Sequence, residues 1–191
     1  MGIHKYEYLE KLEAISLEHL QIVIGFLQLP ETVVCHQPDV KSWNVLQCME
    51  HLNTYGDYYI PAIKNALSGA EKLEKDQLLT QTFLGRYFIK MMDPDKGKRK
   101  YKAFKKHRPK FKLNKEVVLN KNMGQMEALV GLLRECKHLN INNIAIPISL
   151  TKYIKIPLHE VFGFLVAHNE RHIQQAKRTI KWTGEESFSG K

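Results

Sequence analysis

PLHEVFGFLVAHNERHIQQAKRTIKW, residues 157–182, carries a helix in its spacing. Val161, Phe162, Leu165, His168, His172 and Gln175 recur every three or four residues, the period of one helix face. Pro157 suits the first helical position, where its missing N–H would be unpaired anyway. Gly184 lies just past the last periodic residue and serves as a stop. The tail GEESFSGK is polar and expected to be loose. A helix this one-sided must bury its stripe against other elements, so the rest of the chain has to supply partners.

Three further segments have the same period. Residues 115–138 place Val117, Val118, Met126, Leu129, Leu133 and Cys136 on apolar positions. Residues 42–67 run from Ser42, a good N-cap, through Trp43, Leu46, Tyr58 and Ile60, with Ser68-Gly69 as a stop. Pro61 is expected to kink that helix or end its first part. Residues 4–28 carry Leu9, Leu12, Ile15, Val23 and Phe26, and Pro30 follows them. Between these segments the pattern weakens. Residues 31–41 look like a loop, and 69–84 allow a short helix around 73–83. Residues 86–115 hold Pro94, Gly97 and Pro109 and look like a long irregular connection. INNIAIPISLTKYIKI, residues 141–156, is Ile-rich and interrupted by Pro147, which suggests an extended crossing segment. The fold expected is all-α, a four-helix bundle with a long basic connection between helices 2 and 3, as one domain over residues 1–191.

Composition supports a globular domain. Hydrophobic residues make up 43% and charged residues 26% of 191, enough for a full core without disulfide staples. Three cysteines, Cys35, Cys48 and Cys136, are odd in number and form no CxxC pair, which argues for a reducing compartment. The N-terminus MGIHKYEYLE has no apolar signal core, and Tyr6 replaces the Ser or Thr of a myristoylation signal. Apolar runs such as QIVIGFLQL are far below the roughly 20 residues of a membrane span. A cytoplasmic location follows as the expectation. The net charge of +9 is local: residues 86–115 hold 13 Lys or Arg against Asp93 and Asp95, a net of +11, which leaves −2 elsewhere.

HNERH, residues 168–172, is the segment with the most chemistry. Imidazoles four residues apart on a helix stack on one face, and two such nitrogens can meet one metal ion at about 2.0–2.1 Å. Phe164, Leu165 and Gln175 lie on or near that face, so the pair points inward. The second position is Asn169, so the glutamate of HExxH proteases is missing, and Glu170 lies well round the helix. Two ligands hold a metal weakly. His51, mid-helix in SWNVLQCMEHLNTYGDYY, is the candidate third. A core histidine bonded to a neighbouring carbonyl is the competing reading, and spacing alone leaves both open.

SWNVLQCMEHLNTY, residues 42–55, resembles the second-helix segment of the DinB-like (YfiT-like) metalloenzyme superfamily. In that superfamily a Trp near the helix start precedes a metal-binding His. HNERHIQQAKRT, residues 168–179, resembles its closing HxxxH helix with a Gln soon after. YKAFKKHRPKFKLNKEVV, residues 101–118, is similar to the basic stretch before helix 3 in some members. The resemblance covers most of residues 42–180 as scattered positions in the right order. It implies an up-down-down-up bundle with His51, His168 and His172 as a metal triad. It implies zinc, nickel or another divalent ion, and open positions for water or substrate. Some relatives are S-transferases that use a low-molecular-weight thiol.

Three neutral histidines with an open position are a catalytic-type arrangement, since structural zinc sites are usually closed by four protein ligands. The expected function is a metal-dependent hydrolase or thiol S-transferase acting on a small molecule. Tyr55, four residues after His51, and Gln175, three after His172, are candidate substrate-binding residues; packing explains Tyr55 as well, and surface or inter-helix hydrogen bonding is the alternative for Gln175. Cys48 is better read as a buried inert thiol than as a fourth ligand. Glu50 should point away from the site. His159 falls half a turn off the site face, and His19, His36, His107 and His138 look like surface residues.

The stretch KGKRKYKAFKKHRPKFK, residues 96–112, interleaves cations with Tyr101, Phe104 and Phe111, as single-strand nucleic-acid binders do. The rival function is therefore a helical binding module whose loop 96–115 contacts nucleic acid or another polyanion. A solvated loop anchored by its aromatics, or a funnel for an anionic substrate, explains the same residues. The partners expected are a small molecule, with thiols among the candidates. A homodimer is compatible with the sequence, whereas nucleic acid is the less favoured partner and a membrane is not expected.

Overall fold

The computed structural model describes residues 2–94 and 102–181. Helix α1 spans Lys5–Gln28 and buries Leu9, Leu12, Leu20, Val23 and Phe26. A short helix α2, Glu31–Val34, follows Pro30 where the sequence suggests a loop, because Val33 and Val34 turn inward. Helix α3 spans Val45–Leu67, and its cap is Asn44, not Ser42. The Asn44 side chain accepts from Gln47 N (2.8 Å) while Gln47 Oε1 accepts from Asn44 N (3.1 Å), a reciprocal capping box. Ser42 bonds Asp39 in the loop instead. Replacing Asn44 by alanine should cost about 1 kcal/mol of stability, read from the urea midpoint. α3 does not end at Pro61; Tyr55, Tyr59, Ile63 and Leu67 continue its buried face across that residue.

Strand β1, Gly2–His4, pairs antiparallel with β2, Leu78–Thr80. Helix α4 follows at Phe83–Met92. The short helix expected around 73–83 is thus displaced, and it occupies the start of the stretch read as irregular connection. A distant carboxylate fixes it. Glu160 is fully buried and accepts from Thr82 N and Thr82 Oγ1, both at 2.6 Å, just ahead of the helix. Gly85 is required there: a Cβ would lie 2.0 Å from the Glu160 carboxylate.

Helix α5 spans Lys115–Lys137 and is capped by Asn114. Residues 141–156 are not a lone extended segment. They form most of a hairpin of β3, Ala145–Ile148, and β4, Thr151–Pro157, with a register shift at Pro147/Ile148. Pro147 sits at that register shift, an irregularity of the kind where a strand tolerates proline. Helix α6, Leu158–Lys181, starts directly after Pro157, which closes β4 and is not the first helical residue. The expected stop at Gly184 and the polar tail lie outside the described residues. The fold is therefore largely α, as expected, with two small antiparallel sheets added to the helices. No described helix is long and apolar enough to cross a membrane.

Hydrogen bonds and ring contacts orient the long helices. Lys115 donates to Leu29 O (2.7 Å) while Arg134 and Lys137 reach Glu13, so α1 and α5 run antiparallel. Asn53 bonds Val118 O and Asp57 bonds Lys121, so α3 and α5 run parallel. Trp43 faces His172 and Tyr59 faces Phe164, so α3 and α6 run antiparallel. Tyr8 faces His159 and His19 bonds Glu170, so α1 and α6 run parallel. The apolar interior divides into two clusters. The boundary falls between Leu52 and Tyr55 on α3, Met126 and Leu129 on α5, and Val166 and Ile173 on α6. His51, Asn53, His168 and His172 are buried at or beside that boundary.

Candidate metal centre

His51 projects from α3, and His168 and His172 project one turn apart from α6. Because these helices run antiparallel, the i, i+4 pair faces the single imidazole. One nitrogen of each ring lies within 4.8 Å of the others. Among the described residues no other three His, Cys, Asp or Glu side chains converge in this way. The three residues are 3%, 2% and 8% exposed.

The second nitrogen of two rings is already committed. His51 Nδ1 lies 2.6 Å from the backbone oxygen of His107. A carbonyl can only accept, so His51 carries its proton on Nδ1 and keeps the Nε2 lone pair free. His172 Nδ1 lies 3.0 Å from Gln175 Oε1 in the same sense. An acceptor behind each ring is the usual support for a metal-ligating histidine. His51 Nε2 and His168 Nε2 stand 3.2 Å apart, and His168 Nδ1 is buried without a hydrogen-bond partner. Two imidazole nitrogens facing at that distance need a proton or a cation between them. Burial pushes the His51 imidazole down to about 4, against the weaker pull of the His107 carbonyl. Burial first, then the neighbouring imidazoles, hold His168 and His172 well below the ordinary histidine range. All three are neutral at pH 7, the form that binds metal. The donor set, its protonation and its second contacts fit a divalent cation.

Aromatic rings wall the triad. Trp43 lies 5.0 Å from the His51 ring and stacks at 5.8 Å on His172. Tyr55 lies 5.2 Å from His51 and 4.4 Å from His168, and Phe164 stacks on His168 at 5.4 Å. Tyr55 therefore touches the triad, whereas Gln175 reaches it only through His172. Cys48 lies fully buried in the apolar cluster below, where desolvation pushes its thiol pKa up. Glu50 turns away to Asn53. His159 is buried near Tyr8, off the triad as expected.

Two histidines expected at the surface are buried. His19 is 1% exposed and bonds Glu170 (2.6 Å), and that bond holds the Glu170 carboxyl below its usual range. His107, in a short 3-10 turn at Lys105–His107, is 4% exposed. Its ring stacks on Tyr55 at 4.1 Å. Thr54 Oγ1 donates to His51 O, so His107 Nδ1–H donates to Thr54 (2.9 Å) and His107 Nε2 accepts from Ser149 Oγ (3.1 Å). Three polar and aromatic contacts thus seat the residue whose carbonyl orients His51. Its setting among Lys, Arg and Pro hid this role from sequence reasoning. His107→Ala should weaken divalent-metal affinity about 10–100-fold, the usual cost of losing an outer partner, as measured by competition with a chelator. His36 is half-buried and His138 exposed.

The family model that matches the chain is that of the DinB superfamily, over residues 17–176. That span holds the three histidines, Trp43 and His107. No curated protein and no solved structure matches.

Proposed function

The chain belongs to the DinB superfamily, and on that premise we propose that His51, His168 and His172 hold one divalent ion, zinc or nickel, at the centre of a four-helix bundle. The reading carries further to a hydrolase or thiol S-transferase acting on a small molecule. The helix directions given above support reading that bundle as up-down-down-up. The observation that carries the proposal is the trio of buried, neutral imidazoles, two of them with Nδ1 tied back so that Nε2 faces the centre.

When bound, such an ion would act as a Lewis acid and lower the pKa of a coordinated water or thiol. The protein's own groups do the rest. His107 O and Gln175 Oε1 keep His51 and His172 in the ligating tautomer. Trp43, Tyr55 and Phe164 exclude bulk water, which strengthens every charge interaction inside. Asn169 cannot act as a base, so the protease mechanism of HExxH helices is not available. On this reading Tyr55, against the His51 and His168 rings, touches the substrate, and Gln175 holds His172 in orientation.

The test is turnover of small electrophilic esters and alkyl halides by the metal-loaded protein, with and without added cysteine. Turnover that requires the thiol assigns the transferase, and turnover in water alone assigns the hydrolase. Replacement of His168 and His172 together should remove either; activity that persists in that variant contradicts the proposal.

Phe111, 98% exposed between Lys110 and Lys112, favours a second reading in which loop 96–115 binds nucleic acid or another polyanion. Residues 96–101 of that loop lie outside the described residues. The burial of His107 ties the middle of the loop to the triad and supports the first reading. Binding of a single-stranded oligonucleotide with a steep salt dependence, lost on neutralising the loop lysines, would favour the second.

A further inference from the structure

Helix α3 offers His51 to the triad from one face, and a residue two positions on lies roughly 200° round the helix, on the other. Asn53 stands there, fully buried. Its amide is used completely. Nδ2 donates to Val118 O (3.0 Å) and Glu50 Oε2 (3.2 Å), and Oδ1 accepts from Asn122 Nδ2 (2.8 Å). Val118 and Asn122 are one helical turn apart, so a single side chain of α3 grips both ends of a turn of α5. Asn122, also buried, answers from α5: its Nδ2 reaches Met49 O (3.5 Å), one turn before Asn53. Gln125 lies so close over α3 that a Cβ at Gly56 would fall 2.2 Å from its Oε1. It donates to Asn53 O (3.1 Å) and Asp57 Oδ1 (2.9 Å). The turn held in this way, residues 49–53, is the one that carries His51.

Such a network is a poor way to gain stability. Asn122 Oδ1 is buried with no hydrogen-bond partner, and an apolar pair would fill the same interface without that penalty. What paired amides supply is register. They fit one rotation and one offset of α3 against α5, whereas apolar interfaces lose uniqueness before they lose stability. A metal triad needs a single rotation. A ligating nitrogen stands well outside the roughly 2.3 Å Cα radius of its helix. A roll of a few degrees therefore moves it by more than the ~0.2 Å that a metal bond tolerates.

We propose that Asn53 and Asn122 are positioning residues for the triad: clamped across α3 and α5, they set the rotation of α3 and so the aim of the His51 ring. Their effect on metal affinity rests on the metal reading of the triad, whereas their effect on the ring does not.

The test is the double variant Asn53→Ala with Asn122→Leu in the full chain. The leucine can extend into a cavity of about 30 Å³ that Asn122 lines, so the interface stays filled. The urea midpoint should equal or exceed that of the unaltered protein. NMR of the histidine side-chain nitrogens, without metal, should show His51 as one tautomer, protonated on Nδ1, in the unaltered protein and as a mixture in the variant. Zinc affinity, measured by competition with a chelator, should fall at least about tenfold. A purely structural role predicts the opposite pattern, a lower midpoint with tautomer and affinity intact. That pattern, or a stable variant with an unchanged His51 ring, overturns the proposal. Should the double variant fail to fold, Asn122→Ala, which removes only the α5 arm of the clamp, should move the tautomer in the same direction; no movement overturns the proposal. An unaltered protein that takes up no zinc counts against the metal reading alone, because the tautomer is read without metal.

Discussion

His168→Ala is expected to abolish stoichiometric metal binding. His168 Nε2 lies 3.2 Å from His51 Nε2, and the residue is 2% exposed and central to the triad. Losing a ligand costs more than losing an outer partner, so the affinity should fall by well over the roughly 100-fold upper range for His107→Ala. The metal-free protein should gain stability from the same change or lose little. The alanine removes a buried imidazole whose Nδ1 has no partner, although it also leaves a cavity beside Phe164. Metal content together with the urea midpoint separates the two effects. A variant that keeps one tightly bound ion per chain would show that His168 is not a ligand.

Acid should unfold the metal-free protein early. His51 and His107 titrate near 4 in the fold and near the ordinary 6.5 in the unfolded chain, and burial is the main cause for both. Between those values the unfolded state takes up protons that the folded state refuses. Stability is therefore full above pH 6.5, declines as the pH falls towards 4, and is flat below that for these groups. His51 alone accounts for about 3 kcal/mol across the window, a large part of a typical domain's stability. His168 and His172, held still lower, act in the same direction. Urea midpoints at pH 7.5, 5.5 and 4.5 should fall in order, and His51→Gln should flatten the slope. Equal midpoints would contradict the neutral, buried assignment. Bound metal should be released over the same window, because protons compete for the same lone pairs.

The long helices were legible because each carries an apolar stripe of helical period, and periodicity survives without knowledge of the partner. Helix α4 was not. Its N-terminus is fixed by Glu160, 78 residues away in sequence, and its basic neighbours suggest a solvated loop. The hairpin was missed because Pro147 and the adjacent register shift interrupt the alternation that marks paired strands. In the site, the spacing of His168 and His172 was sufficient to put them on one face. For His51 the sequence left a choice between a core histidine bonded to a carbonyl and a ligand facing the pair. Its Nδ1 bonds His107 O, as the first reading expects, and its Nε2 faces His168 Nε2, which the second reading needs. His107 had no local signal, since its burial depends on Tyr55, Thr54 and Ser149 converging from two other elements.

Elemental analysis of the full chain, purified without a histidine tag and dialysed against buffer with a trace of mixed divalent salts, tests the central claim most directly. The account predicts about one ion per chain, lost when His51, His168 and His172 are replaced together by alanine in a protein that remains helical. An unaltered protein with no bound ion, or a triple variant that retains it, would contradict the three-histidine centre.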